Sequence, residues 1–342
     1  MAEIRDTEVL AELLRALADR NYQFVPPTPE THRRVISRRW KREAADLRDV
    51  FGWSLPFRDG VLDSEIVALM GKAGVLRRQG RRSRSEVRVA SLAGRLFLHS
   101  AYPAGDDSVF FGPDTYRFVD FLRNELGEGV RARRVLDFGA GSGAGGIAVA
   151  HLCRPERLVL ADVNPAALRL AAANARFAEV AVELLEADSL QQLEGPFDLI
   201  VANPPFIAEG GHTYRDGGGM HGSELSLQWV HAAAGLVAGG GRLLLYTGSA
   251  ICGGQDRLRD ALQGIFGESD WELSYREIDP DIFGEELSRP VYRDVERIAA
   301  VGIALRRADA ASEQQEALEG AKAFLGLVMA GTPPPGGISR NR

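Results

Sequence analysis

Apolar residues recur through the first hundred positions at helical spacing. Leu10, Leu13, Leu14 and Leu17 share one face of a helix expected over 8–17. The run Pro26-Pro27-Thr28-Pro29 interrupts the chain, and Ile36, Trp40, Ala44, Leu47 and Phe51 then predict a second helical stripe. A third helix is expected over 64–70. Val75-Leu76, Val87-Arg88-Val89 and Leu96-Phe97-Leu98 follow as short strands around an arginine-rich turn. Helices followed by a β-hairpin suggest a winged-helix-like α+β module over residues 1–108.

From residue 109 the pattern changes to short apolar runs alternating with helical stretches. Gly112-Pro113-Asp114-Thr115 prepares a helix start, with Asp114 or Thr115 as the expected cap. Strands are predicted at 134–138, 158–161, 182–185, 197–202, 242–246, 271–277 and 298–305, with helices at 144–152, 166–177, 224–237 and 257–265. Apolar strands separated by helices predict an α/β fold: a Rossmann-like, seven-stranded, mostly parallel sheet covered on both faces, over 109–307. In the tail, 308–342, Ser312 with Gln315 and the stripe Leu318, Ala321, Leu325, Val328 predict a helix, and the Pro333–Gly337 run predicts disorder beyond it.

The composition of the 342 residues, 45% hydrophobic and 26% charged, excludes a collagen-like or wholly disordered chain. No stretch reaches the ~18 consecutive apolar residues of a membrane span. The start lacks a basic region followed by an apolar one, so a cytoplasmic protein without a membrane partner is expected. Cys153 and Cys252 stand far apart and the six histidines form no HExxH spacing, so no metal is expected. The net charge of −6 hides an asymmetry: residues 1–100 carry 19 Lys+Arg against 13 Asp+Glu, net +6, leaving −12 on the remainder. A basic head of this kind fits a phosphate-bearing or acidic partner.

Candidate chemistry begins at Val135-Leu136-Asp137-Phe138-Gly139-Ala140-Gly141-Ser142-Gly143, which ends one strand and opens a helix. Glycines there let a ligand lie against the backbone, beside the free amides of a helix start. Gly141 to Gly146 also reads as GxGxxG, so a dinucleotide is a competing ligand. Asp137 separates the two: a carboxylate two residues before the first glycine repels a pyrophosphate and suits a cationic ligand carrying an ammonium and a sulfonium. The alternative role for Asp137 is to cap the helix. Asp162, ending the second strand, is placed for ribose hydroxyls, and Asp188, after the third, for an adenine amino group or as a plain turn residue. These residues resemble the (D/E)-x-G-x-G-x-G motif and following acids of class I S-adenosylmethionine-dependent methyltransferases. The resemblance implies S-adenosylmethionine as cofactor, held by Asp137, Gly139, Gly141, Gly143, Asp162, Asp188 and Asn203.

After the fourth strand comes Asn203-Pro204-Pro205-Phe206. Consecutive prolines supply no amide donors and stiffen the chain, leaving carbonyls turned outward. The Asn203 side-chain oxygen and the Pro204 carbonyl can each accept one hydrogen of a planar NH2, with Phe206 stacked on it and Pro205 beside it. Such a clamp favours pyramidal nitrogen and aims its lone pair, so positioning and electrostatics carry the chemistry. The run is similar to the (N/D)PP(Y/F) signature of amino-methyltransferases, a group that includes adenine-N6 and guanine-N2 enzymes and the protein-(glutamine-N5) methyltransferases of release factors. The resemblance implies catalytic roles for Asn203, Pro204 and Phe206 and substrate contacts for Pro205 and Phe206. It puts a glutamine of a translation-related protein first as acceptor, and a base amine of RNA or DNA second. Phe206, where the release-factor group usually has Tyr, fits guanine enzymes equally. A non-catalytic binding protein is the alternative of another class. The glycine-rich run 210–222 reads either as a substrate lid or as a connector.

Overall fold

The computed structural model describes residues 2–38, 43–102, 105, 107–127, 129–209, 215–267 and 269–309. Trp40 of the second helical stripe, His212 and Tyr214 of the glycine-rich run, and the tail helix and proline run expected over 308–342 lie wholly or mostly outside them.

Four helices open the chain: α1 (Ala2–Asp19), α2 (Pro29–Arg38), α3 (Leu47–Phe51) and α4 (Ser64–Lys72). Leu10, Leu13, Leu14 and Leu17 are all fully buried, as the periodicity of α1 requires. The single stripe expected over 36–51 is instead divided. Asp46 caps α3 by accepting the Asp49 amide, and the Ala44 amide leaves helical pairing for the Pro56 carbonyl. Two separate two-stranded antiparallel sheets follow, β1 (Leu76–Gln79) with β2 (Arg82–Ser85) and β3 (Val87–Leu92) with β4 (Arg95–Ser100), where the sequence suggested one hairpin.

The rest alternates as expected: α5 (Pro113–Leu126), β5 (Arg134–Phe138), α6 (Ala144–Cys153), β6 (Arg157–Asp162), α7 (Pro165–Phe177), β7 (Glu183–Glu186) and β8 (Phe197–Ala202). Then come α8 (Glu224–Ala234), β9 (Val237–Cys252), the two-residue β10 (Gln255–Asp256), α9 (Arg257–Phe266), β11 (Trp271–Asp279) and β12 (Arg297–Arg307). Seven strands run in the order β11-β12-β9-β8-β5-β6-β7. Pairs from β7 to β9 are parallel, and β12 lies antiparallel to both β9 and β11. This is the Rossmann-like sheet read from the sequence. The chain leaves β5 first toward β6 and β7, then returns to β8 and proceeds the other way. The crevice that opens at such a reversal, at the carboxyl ends of β5 and β8, is where ligands bind in open α/β sheets.

The amino-terminal elements rest on α7. Ala167, Leu170 and Ala173 share a core cluster with the leucines of α1, and Asp6–Arg169 and Glu8–Arg176 ion pairs flank it at 3.0 and 2.5 Å. Fully buried Asn174 couples the layers: its Oδ1 accepts the Leu98 amide at 2.7 Å, while its Nδ2 donates to the carbonyls of Leu98 and Ser142.

Candidate active site

A cleft of about 590 Å³ lies at the strand reversal, within the size range of small-ligand sites. Asp137, Gly139, Gly141, Asp162, Asp188 and Asn203 through Phe206 all line it. Gly143 is not among its lining residues; at φ 78° it starts α6, and a Cβ there would press on Ala171 and Leu160.

Asp137 takes the capping role and also faces the cleft. Its Oδ2 accepts the Gly146 amide in the first turn of α6 at 2.6 Å. Burial pushes its carboxyl up to about 7, the Gly146 hydrogen bond opposing and the nearby Asp162 charge adding. Asp162 accepts the Gly141 amide with one oxygen at 2.8 Å and the Asn164 amide with the other at 2.9 Å. Its pKa is raised by burial against those bonds. A carboxylate oxygen accepts more than one donor, so both retain capacity for hydroxyl groups. Asp188 is exposed on the cleft margin, its amide donating to Gln192.

Gly139 adopts φ 69°, and an added Cβ would sit 2.6 Å from the Trp229 ring. The bend therefore needs glycine for both conformation and space. Trp229, on α8, lines the cleft and packs on Phe138 with ring centroids 4.4 Å apart. It was not legible in the sequence, because only the tertiary fold brings α8 over the end of β5. Asn164 was also missed, although its position before Pro165 is a helix-start signal: it caps α7 through the Ala166 amide and donates to the Asp107 carbonyl.

On the acceptor side, Asn203 Oδ1 is buried and has no hydrogen-bond partner among the described residues. The Phe206 ring is largely covered by Tyr246 and Phe283, at 6.4 and 5.8 Å between centroids, and contributes an edge of the cleft wall. Gly248 and Gly222 make this packing possible, since a Cβ on either would collide with Phe206. Of the two expected caps, Thr115 closes a capping box by accepting the Gly112 amide at 3.3 Å, while Asp114 is drawn to Tyr246, whose hydroxyl donates to it at 2.8 Å; Gly112 takes the cap position and Pro113 the first helical one. Burial raises the Asp114 pKa. Arg215 and the ion-paired Glu286 and Arg289 complete the rim, and Arg215 Nε is buried without a partner among the described residues.

Residues 115–264 match the family model of the methyltransferase small domain. That segment carries the glycine bend, the three acids and Asn203 through Phe206. The chain is 37% identical over 130 residues to the release factor glutamine methyltransferase of Bordetella pertussis, covering 37% of this chain and 48% of the relative. It is 29% identical over 178 residues to the Deinococcus radiodurans protein of the same name, covering 51% and 63%. The chain thus spans about half to just under two-thirds of the length of these curated relatives. Among solved structures, a T. thermophilus 16S rRNA methyltransferase in complex with AdoMet and guanosine aligns at 19% identity and a TM-score of 0.43, over 74% of this chain and 64% of that one. Within the matched segment, the glycine bend and the Asn203 notch border one cleft. Among the described residues no helix is long and apolar enough to cross a membrane.

Proposed function

We propose that this protein is an S-adenosylmethionine-dependent N-methyltransferase whose acceptor is the side-chain amide of a glutamine in a translation-related protein of the cytoplasm. The observation that carries this reading is the unpartnered, buried Asn203 Oδ1 in the same cleft as Asp137. A buried acceptor without a donor costs about 1–3 kcal/mol, and an amide N–H in the cleft satisfies it. S-adenosylmethionine supplies a methyl group on a sulfonium, an electrophile that needs no metal or general acid to leave its sulfur.

The chain's own residues do the remainder. Ionised Asp137 favours the cationic end of the cofactor, Asp162 accepts its ribose hydroxyls, and Asp188 receives the adenine amino group. Gly139 and Gly141 let the cofactor approach the backbone. Asn203 Oδ1 and the Pro204 carbonyl each accept one hydrogen of the acceptor NH2, which draws the nitrogen out of conjugation and directs its lone pair at the methyl carbon. On transfer to such a nitrogen, the surplus proton, hydrogen-bonded to Asn203 Oδ1 or the Pro204 carbonyl, would be lost to water, since neither amide oxygen is basic enough to keep it. Pro205 and Phe206 wall the planar group. The named activity of the curated relatives supports glutamine as the acceptor.

A base amine in RNA is the second reading, favoured by the arginines of the β1–β2 hairpin. Arg77 and Arg84 are directly opposed in its register, with Arg77 ion-paired to Glu86 at 2.6 Å. Incubating purified enzyme and labelled S-adenosylmethionine with extract from cells lacking the protein separates the two. Label released by protease and retained after ribonuclease supports glutamine; the converse supports RNA.

A further inference from the structure

On the face where β9 ends, three side chains distant in sequence converge outside the cleft. His221 Nε2 lies 3.0 Å from Asp294 Oδ1, and His221 Nδ1 lies 4.0 Å from Cys252 Sγ. One donor atom from each of the three falls within 4.8 Å of the others. The imidazole is held from several directions: its ring stacks on Tyr292 at 6.2 Å between centroids, and its backbone is left-handed at φ 55°, as is that of Met220 at φ 52°. Two successive non-glycine residues in that region store strain of about 1–3 kcal/mol each, a cost tolerated where a side chain must be aimed. Asp294 and Glu296 place negative charge about the Cys252 sulfur, with Arg257 opposing.

We propose that Cys252, His221 and Asp294 form a binding site for a thiophilic divalent cation of the zinc class. A sulfur, an imidazole nitrogen and a carboxylate oxygen are a mixed donor set that selects zinc over magnesium or calcium, which take oxygen donors. Zinc bonds of roughly 2.0–2.3 Å in a tetrahedron put donors about 3.3–3.6 Å apart, so the set, using one imidazole nitrogen, closes on one ion with up to about 1.5 Å of side-chain movement, water taking the fourth position. The thiol proton leaves to solvent as the cation binds. The ion would fasten a segment that flanks the acceptor side: the Gly222 amide donates to the Gly218 and Gly219 carbonyls, and Gly217 pairs with Ile207, directly after the acceptor motif. The histidines and cysteines show no metal spacing in sequence because residues 221, 252 and 294 meet only through the fold.

Cobalt(II) and zinc titrations of the full chain test this without any methyl transfer, so the outcome is independent of the acceptor reading. One equivalent of cobalt(II) should give a sulfur-to-metal charge-transfer band that zinc displaces. Cys252→Ser should abolish the band, and His221→Gln and Asp294→Asn should each weaken zinc binding at least tenfold by equilibrium dialysis. Unchanged circular dichroism and S-adenosylmethionine affinity identify the variants that remain folded, and the three substitutions provide independent readings. Absence of the band, substoichiometric zinc, or a band that persists in Cys252→Ser and so belongs to Cys153 would overturn the proposal. So would rapid alkylation of Cys252 without metal binding, which would make the three residues a thiol relay instead.

Discussion

Asp162 joins the end of β6 to the glycine bend through a 2.8 Å hydrogen bond from the Gly141 amide, while its second oxygen holds the Asn164 amide. The residue proposed for ribose recognition therefore also shapes the loop that must accept the cofactor. Asp162→Ala leaves two amides without their acceptor, and the expected loss of S-adenosylmethionine affinity is about 10- to 100-fold. Isothermal titration checks it; affinity within twofold of wild type would remove Asp162 from the site.

The proposed role of Asp137 predicts a pH dependence of cofactor binding. Its carboxyl titrates at about 7 in the folded chain, so it is neutral below and negative above. A cationic ligand should bind more tightly as pH rises from 6 to 8, changing by up to about tenfold per unit below the midpoint. Asp137→Asn should flatten that profile. Stability moves the opposite way. The folded pKa lies above the ordinary aspartate value of 3.8, so this group's contribution is fully present below that value and is lost as pH rises through about 7. Urea unfolding across this interval tests the sign: a wild-type slope identical to that of Asp137→Asn would contradict it.

Much of this was legible because it is local. Each acid sits at or just beyond a predicted strand, and parallel strands flanking a chain reversal bring their carboxyl ends together, so Asp137, Asp162, Asp188 and Asn203 needed only the sheet order to be gathered. Residues that depend on distant contacts were not legible. Trp229 reaches Gly139 across the layers, Asp114 abandons helix capping for Tyr246, and Asn174 carries no sequence mark of its bond to Ser142. The helical stripe over 36–51 misled for the same reason: apolar spacing continues through Ala44, but its amide is claimed by Pro56.

Gly139→Ala tests the bend. The substitution puts a Cβ at φ 69° and 2.6 Å from Trp229. The left-handed backbone alone costs roughly 1–2 kcal/mol for a non-glycine residue, and displacing the indole adds to it. Lower stability, a shifted tryptophan emission and weaker cofactor binding should appear together. A variant with native emission and native affinity would show that the bend tolerates a side chain.

Asn203 separates binding from transfer. Its orphaned Oδ1 is assigned to the acceptor NH2, so Asn203→Ala removes an interaction strengthened as the nitrogen pyramidalises. Transfer should fall by about a thousandfold or more, while S-adenosylmethionine affinity stays within a fewfold of wild type. Single-turnover rates and equilibrium titration on the same preparation distinguish the outcomes. A large loss of cofactor affinity would place Asn203 in the cofactor site.

Asn174 links the amino-terminal elements to the glycine bend. It is fully buried, satisfies both backbone groups of Leu98 on β4, and holds the Ser142 carbonyl between two glycines of the bend. Asn174→Ala strands three buried backbone groups at about 1–3 kcal/mol each, so a loss of several kcal/mol is expected if water does not enter. The loosened Ser142 should also weaken S-adenosylmethionine binding, although Asn174 is not a cleft residue. Asn174→Asp retains the acceptor for the Leu98 amide but loses the donor to both carbonyls and sets a buried carboxylate against them, so at neutral pH it should be at least as destabilised as Asn174→Ala and should also impair affinity. Thermal unfolding with and without cofactor reads both effects, and native affinity in the aspartate variant would show that the bend keeps its shape without this tie.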